Sequence, residues 1–327
     1  MSTPTIEARD LVKTYGPTRA LKGISFSVPS GQIVGFLGPN GAGKTTTMKI
    51  LTGYLRPSAG EAVVEGRPVA EDSLFTRSKI GYLPENAPLY DEMMVVDFLD
   101  FVAELRSIPG ELRRTRIDAM VDVCGLGDVV HRDIGQLSKG YRQRVGLAQA
   151  MIHDPGILIL DEPTSGLDPN QIADIRDLVR ELGREKTLIL STHILPEVQA
   201  TCDRVIIIAG GELVADDTVA GLTDSGGGTR LRLLVAPRNG VLVAAEQLTA
   251  DLALVDGVER VDAADGPEPG TVSLTVVAAP GADVRRGLFE AVVARDLALL
   301  EMLPERVSLE ETFRRLTAGA RGGGVHA

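Results

Sequence analysis

The chain has 327 residues, 44% of them hydrophobic and 24% charged, with a formal net charge of −11. It is long and apolar enough for two domains, one with a sizeable core, which excludes an intrinsically disordered chain. The acidic balance and the shortness of the basic clusters exclude a nucleic-acid-coating surface as the main role, so no nucleic acid is expected as a partner. Cys124 and Cys202 lack metal-ligand spacing and read as reduced core thiols. No charged-then-apolar leader opens the sequence, and the longest apolar stretches, 157–160 and 205–209, are of strand length. Any attachment to a membrane is therefore expected to run through a partner.

From about residue 5 to 222, short β-branched runs alternate with helical stretches, which predicts an α/β unit on a largely parallel sheet. Strands are expected at 6–12, 21–28, 32–37, 62–64 and 80–82. A helical insertion follows over about 86–153. In it Val95, Val96, Leu99, Val102 and Ala103 recur at helical spacing, with Asp97, Asp100 and Glu104 between them. Further helices are expected at 113–124 and 138–153, the latter capped by Ser138. Buried strands at 157–160 and 187–190 flank a helix at 171–183, and 204–209 with 212–215 reads as a hairpin over Gly210-Gly211. Ser225-Gly226-Gly227-Gly228 marks a flexible joint, placing a first domain at 1–224 and a linker at 225–229. Beyond it come a strand at 230–236, a helix at 241–252, strands at 258–262 and 272–277, a helix at 283–295, a strand at 297–303 and a helix at 309–316. That β-α-β-β-α-β order suits a small ferredoxin-like α+β domain over 230–318, and the glycine-rich 319–327 reads as a disordered tail.

Three motifs carry chemistry. Gly38-Pro39-Asn40-Gly41-Ala42-Gly43-Lys44-Thr45-Thr46 fits G-x-x-x-x-G-K-[ST] between an apolar strand and a helix. Glycines let backbone N–H groups converge on phosphate oxygens, Lys44 reaches the β- and γ-phosphates, and Thr45 can place its hydroxyl on Mg²⁺. Ile157-Leu158-Ile159-Leu160-Asp161-Glu162 is an apolar strand ending in two carboxylates. Side chains alternate along a strand, so the two acids are expected to divide the work: Asp161 for Mg²⁺, Glu162 for an attacking water. Leu137-Ser138-Lys139-Gly140-Tyr141 supplies a hydroxyl, a glycine amide and a helix N-terminus, a second anion site.

With these motifs the sequence resembles the ATP-binding cassette (ABC) family of transport ATPases, whose signature is L-S-G-G-Q; this chain keeps Leu137, Ser138 and Gly140 and departs at Lys139 and Tyr141. The resemblance implies a P-loop NTPase cassette binding ATP and Mg²⁺. Asp161-Glu162-Pro163-Thr164-Ser165-Gly166-Leu167-Asp168-Pro169 matches the family's acidic strand end and the loop after it, which brings in Asp168. Ser191-Thr192-His193 matches its switch histidine, implying that His193 contacts the γ-phosphate and holds Glu162 and water in line. Tyr15 occupies the position of the adenine-stacking ring, with a packed surface aromatic as the alternative. Where the family has glutamine, this chain has Glu85, within Gly81-Tyr82-Leu83-Pro84-Glu85. A carboxylate there either binds Mg²⁺ more tightly or repels the γ-phosphate when the metal is absent. The same stretch, with the ending Ser308-Leu309-Glu310-Glu311-Thr312-Phe313, resembles the branch serving multidrug, polysaccharide and gliding-motility exporters.

By that resemblance Lys44 and the Ser138/Gly140 site act in trans, so a homodimer or a pair with a similar chain is expected. An integral membrane permease is the expected partner, with the protein peripheral at the cytoplasmic face of the membrane. Leu89, Tyr90, Met93 and Met94 are the candidate docking surface; ordinary packing within the insertion is the alternative. The alternative function is a soluble cassette ATPase acting on ribosomes or DNA. Such proteins usually carry two cassettes or a long coiled coil, and this chain has neither. A third reading is a regulatory binder whose C-terminal domain senses a small ligand.

Overall fold

A computed structural model describes residues 4–224, 230–238, 244–279, 281–305 and 308–318. The expected linker at 225–229 and tail at 319–327 lie outside the described residues. The chain divides into two compact units, one of residues 4–219 with 313–318 and one of Ala220–Thr312.

The first unit opens with β1 (Pro4–Tyr15) and β2 (Thr18–Pro29), which run antiparallel across a two-residue connection. The fully buried β3 (Ile33–Leu37) leads through the glycine loop into α1 (Lys44–Leu51). Next come β4 (Ala59–Val64), the short β5 (Arg67–Pro68), α2 (Ser73–Lys79) and β6 (Ile80–Leu83). The insertion holds α3 (Val95–Leu105), α4 (Gly110–Val123) and α5 (Lys139–Met151). Then follow β7 (Ile157–Asp161), α6 (Pro169–Leu182), β8 (Thr187–Thr192), α7 (Leu195–Thr201), β9 (Arg204–Ala209) and β10 (Glu212–Thr218).

Six strands form one sheet in the order β10-β9-β3-β8-β7-β6, parallel except for the β9–β10 hairpin. The first two strands do not join it. They pair with β4 and β5 in a separate antiparallel sheet, β2-β1-β4-β5. A tight hairpin between two twelve-residue strands allows only antiparallel pairing, whereas the parallel strands need helical crossovers. The inner faces of both sheets meet around α1. Ile6, Leu11, Leu21, Ile24 and Phe26 from one sheet and Phe36, Ile157, Ile159, Ile189 and Ile206 from the other share a core with Met48, Ile50 and Leu51. Each such side chain contributes about 1.5–3 kcal/mol when withdrawn from water.

The register of the central strands positions the site. Leu37 pairs with Thr192, and Asp161 pairs with Ser191. The glycine loop, Glu162 and His193 therefore leave the sheet at one carboxyl edge, where open α/β sheets bind ligands.

In α3, Val95, Phe98, Leu99, Val102 and Ala103 are buried at helical spacing, and α5 is capped by Ser138, whose hydroxyl accepts from the Tyr141 N–H (3.4 Å). Beyond α5, His153 sits part-buried with Nε2 against the Ile80 carbonyl (3.2 Å). Burial, then the nearby Arg106, pushes its pKa down from 6.5 to about 4. Between those values the unfolded chain binds the proton and the folded chain does not, so stability falls as pH falls. Thermal melts from pH 7 to 4.5 should show this slope. His153→Gln keeps a donor for Ile80 and should flatten it; an unchanged slope would remove His153 as its source.

After α8 (Val219–Asp224), the second unit contains β11 (Arg230–Pro237), α9 (Ala245–Leu252), β12 (Val258–Asp265), β13 (Val272–Ala278), α10 (Arg285–Ala294) and β14 (Leu297–Glu305), with α11 (Leu309–Ala318) closing the described chain. Its sheet order, β12-β13-β11-β14, is antiparallel throughout, which is the split β-α-β arrangement expected from the sequence. Leu231, Leu233 and Val235 alternate inward on β11 and pack with Leu248, Leu252, Leu288 and Val292. The expected helix at 241–252 is seen as α9; residues 241–243 lie outside the described residues.

Candidate active site

The glycine loop sets the geometry. Gly43 has φ +110°, and a Cβ there would stand 2.6 Å from Leu21 Cδ2 and 2.9 Å from the Ala20 carbonyl oxygen. Only glycine lets the loop lie this close to β2 and still turn into α1. Pro39 closes the inner turn by accepting from the Ala42 N–H (3.1 Å). Lys44 is buried at 6% exposure and folds back over the loop, donating from Nζ to the Gly38 carbonyl (2.8 Å).

The same ammonium lies 3.3 Å from Glu162 Oε1. Glu162 is 7% exposed and occupies the left-handed region at φ +50°. That conformation is uncommon for a non-glycine residue and is held in place here. The Glu162 N–H donates to the Ser191 carbonyl (3.0 Å) and hydroxyl (3.1 Å), while the Glu162 carbonyl accepts from the Ser165 N–H (3.1 Å). The turn aims the carboxylate into the cleft. His193 Nδ1 reaches Glu162 Oε2 at 2.8 Å. A carboxylate accepts only, which assigns the histidine proton to Nδ1.

These groups line a cleft of about 560 Å³, within the range of about 300–1,000 Å³ usual for small-molecule sites. Asn40, Gly41, Gly43, Lys44, Thr45, Thr46, Glu85, Glu162 and His193 border it, together with Ala20 and Ser165. The sequence-derived set is thus largely assembled in one place. Gly38, Pro39 and Ala42 shape the loop from behind. Tyr15 is about half exposed at the end of β1, with Lys13 Nζ 5.3 Å from its ring centroid, and it does not border the cleft. Ser138, Gly140 and Asp168 do not border it either. Asp168 caps α6, accepting from the Asn170 and Gln171 N–H groups (3.0 Å each).

Asp161 is fully buried one residue behind Glu162. Its Oδ1 accepts from the Ser191 hydroxyl, and its Oδ2 has no hydrogen-bond partner among the described residues. An orphaned carboxylate oxygen in a buried setting is costly and calls for a cation or a water. With the Thr45 hydroxyl and Glu85 on the cleft wall, the donors are all oxygen, which suits Mg²⁺. Among the described residues no three His, Cys, Asp or Glu side chains form a metal cage.

Sequence reasoning quoted Ser191 and Ser165 within motifs but gave them no role. Ser191 turns out to orient both acids at once. Ala20 carried no signal, because it reaches the cleft only through the β1–β2 hairpin.

The family model for ABC transporters matches residues 21–165. The chain is 36% identical over 299 residues to the ABC transporter ATP-binding protein sll0415 of Synechocystis, covering 90% of this chain and 78% of that one. It is 34% identical over 325 residues to the daunorubicin resistance ATP-binding protein DrrA3 of Streptomyces coeruleorubidus, covering 98% of each. Among solved structures it is similar to the dimeric structure of a post-hydrolysis state of the ATP-binding cassette MJ0796 bound to ADP and Pi. The TM-score is 0.60 and the identity 25%, over 65% of this chain and 98% of that one.

Proposed function

Because the chain belongs to the ATP-binding proteins of ABC transporters, we propose that it powers an exporter by hydrolysing ATP between two cassette subunits at the cytoplasmic face of a membrane. The family makes it an ATPase that serves a transporter; the export direction, the pairing and the permease contact are this reading. The observation that carries it is the convergence of Lys44, Glu162 and His193 over the glycine loop. Among the described residues no helix is long and apolar enough to cross a membrane, so the reading requires a separate membrane subunit. The resistance function in the name of DrrA3 supports export.

In this mechanism the loop N–H groups and Lys44 take the triphosphate. Phosphate oxygens compete with Glu162 Oε1 for the Lys44 ammonium, so substrate binding releases Glu162 to accept a proton from the attacking water. His193 holds the other carboxylate oxygen and fixes the direction in which Glu162 points. Mg²⁺ would be held by Thr45, Glu85 and Asp161 and would supply charge neutralisation for the β- and γ-phosphates.

Ser138 and Gly140 stand apart from this cleft within the chain, so a second subunit is needed to bring such a pair to the nucleotide. Gly140 packs against α6: a Cβ there would meet the Gln171 amide nitrogen at 2.7 Å. The second unit presents Phe289 and Val293, four residues apart and exposed on α10, and this face would help hold the dimer.

The permease would dock on the groove bordered by Tyr54, Tyr82, Tyr90, Phe98 and Phe101. Tyr90 is exposed and meets Phe101 edge-on, with ring centroids 5.7 Å apart. Tyr90→Ala should leave nucleotide binding intact and uncouple turnover from transport; equal loss of both activities, or loss of neither, counts against docking there. The test of the function itself is a pull-down from detergent extract. A multi-span membrane protein should co-purify. Its absence, together with ATPase activity strongly stimulated by nucleic acid, would overturn the transporter reading.

A further inference from the structure

A second cleft, of about 730 Å³, opens between α2, the α3–α4 connection and the end of α5, away from the nucleotide residues. Its walls carry Leu74, Leu105 and Leu112, which are 79%, 67% and 54% exposed. Three leucines this open to water around one depression form an apolar patch that asks for an occupant.

The same cleft is cationic. Arg77, Arg106 and Arg116 border it, and the acid on its wall, Asp154, is held by Lys186 at 2.9 Å. Arg116 is spent on the Ile152 carbonyl (3.0 Å) and on the edge of Asp154 (3.7 Å). Arg77 and Arg106 have no carboxylate within ion-pair distance among the described residues. Arg106 Nη1 donates to the Arg77 carbonyl (2.7 Å), which pins its guanidinium beside its neighbour rather than in open water. Two guanidiniums gathered without an anion repel each other. The effect extends inward: burial and then Arg77 pull the Arg106 pKa down against the raising influence of Tyr54, and Arg106 and Arg116 both oppose protonation of His153.

From this juxtaposition we infer that the cleft seats the headgroup of an anionic membrane phospholipid on Arg77 and Arg106, with Leu74, Leu105 and Leu112 against its acyl chains. Guanidinium forks match phosphate oxygens bidentately, and long cationic stems beside leucines suit the boundary between headgroup and hydrocarbon. Apart from the His153 imidazole, whose Nε2 lies against the Ile80 carbonyl (3.2 Å), the apolar lining is aliphatic, which favours an acyl chain over a nucleobase. The cleft thereby adds a membrane contact that does not depend on ATP, beside the groove given to the permease, with which it shares Arg77, Leu105 and Arg106.

The test is sedimentation of the purified full chain with vesicles of phosphatidylcholine alone or of phosphatidylcholine with phosphatidylglycerol, across a salt series. Binding should need the anionic lipid and weaken with salt. It should fall about twenty-five-fold in the double variant Arg77→Gln/Arg106→Gln, at about fivefold per arginine. Arg77→Lys/Arg106→Lys keeps the charge without the bidentate fork and should restore binding only in part, and Leu74→Ser/Leu105→Ser should weaken it on its own. ATP binding measured on each variant reports folding, because none of these residues borders the nucleotide cleft. Equal binding to neutral vesicles, no binding to either, or indifference to the arginine pair would overturn the assignment. So would competition by inorganic phosphate at the strength of the lipid, which would make this a site for a free anion.

Discussion

Replacing Glu162 with glutamine should cut ATP turnover about a thousandfold and leave ATP binding intact. Glutamine keeps the length of the side chain and can still accept from His193 Nδ1, but it cannot take a proton from water. General-base assistance is worth roughly 10²–10⁴ in rate. The ion pair with Lys44 (3.3 Å) is also lost, and that works in favour of substrate, because the ammonium no longer has a carboxylate to leave. A single-turnover assay with direct measurement of bound nucleotide separates the two steps. Hydrolysis at the unaltered rate would take Glu162 out of the chemistry. Weak binding with normal turnover of what is bound would make it a binding residue instead.

Replacing Lys44 with alanine should have the opposite signature. The buried ammonium contributes hydrogen bonds to charged oxygens, each worth about 1.5–3 kcal/mol, so nucleotide affinity should fall about a hundredfold or more. Truncation also leaves Glu162 buried beside His193 without its cation, an arrangement that disfavours a second negative group nearby. Equilibrium titration with a fluorescent ATP analogue reads the affinity directly. Unaltered binding would refute the role of Lys44. The two substitutions together distinguish a residue that holds the phosphates from one that breaks the bond.

The elements that place this site were legible wherever local pattern decides structure. The glycine loop, the acidic end of β7 and the Ser-Thr-His end of β8 each announce a turn at a strand terminus. Parallel register then brings them to one edge. The β-α-β-β-α-β unit was readable because alternation on β11 and helical spacing on α10 each point to one face. The separate antiparallel sheet was not legible, since the choice of partner for β1 and β2 is made by β4, some fifty residues downstream. Nor were α2 and α7, which at seven residues are too short to show a helical period.

The least readable feature was the backbone of Glu162. Its residue type says nothing of a positive φ, yet that turn is what points the carboxylate at Lys44 while Asp161 stays inside. Ser191 was missed for a related reason: its contacts to Asp161 and to the Glu162 N–H exist only once β7 and β8 are in register. Tyr15 and Asp168 came from resemblance, Ser138 and Gly140 also from the hydroxyl, glycine and helix N-terminus they place together, and the single chain does not bring any of the four to the cleft. For Ser138 and Gly140 this is the arrangement a two-subunit site requires.

The most direct measurement is the mass in solution of the Glu162→Gln protein with and without ATP and Mg²⁺, by sedimentation velocity. The account predicts a dimer that forms with nucleotide, persists because hydrolysis is blocked, and is abolished by a further Ser138→Arg change. A protein that binds ATP and remains a monomer would contradict it.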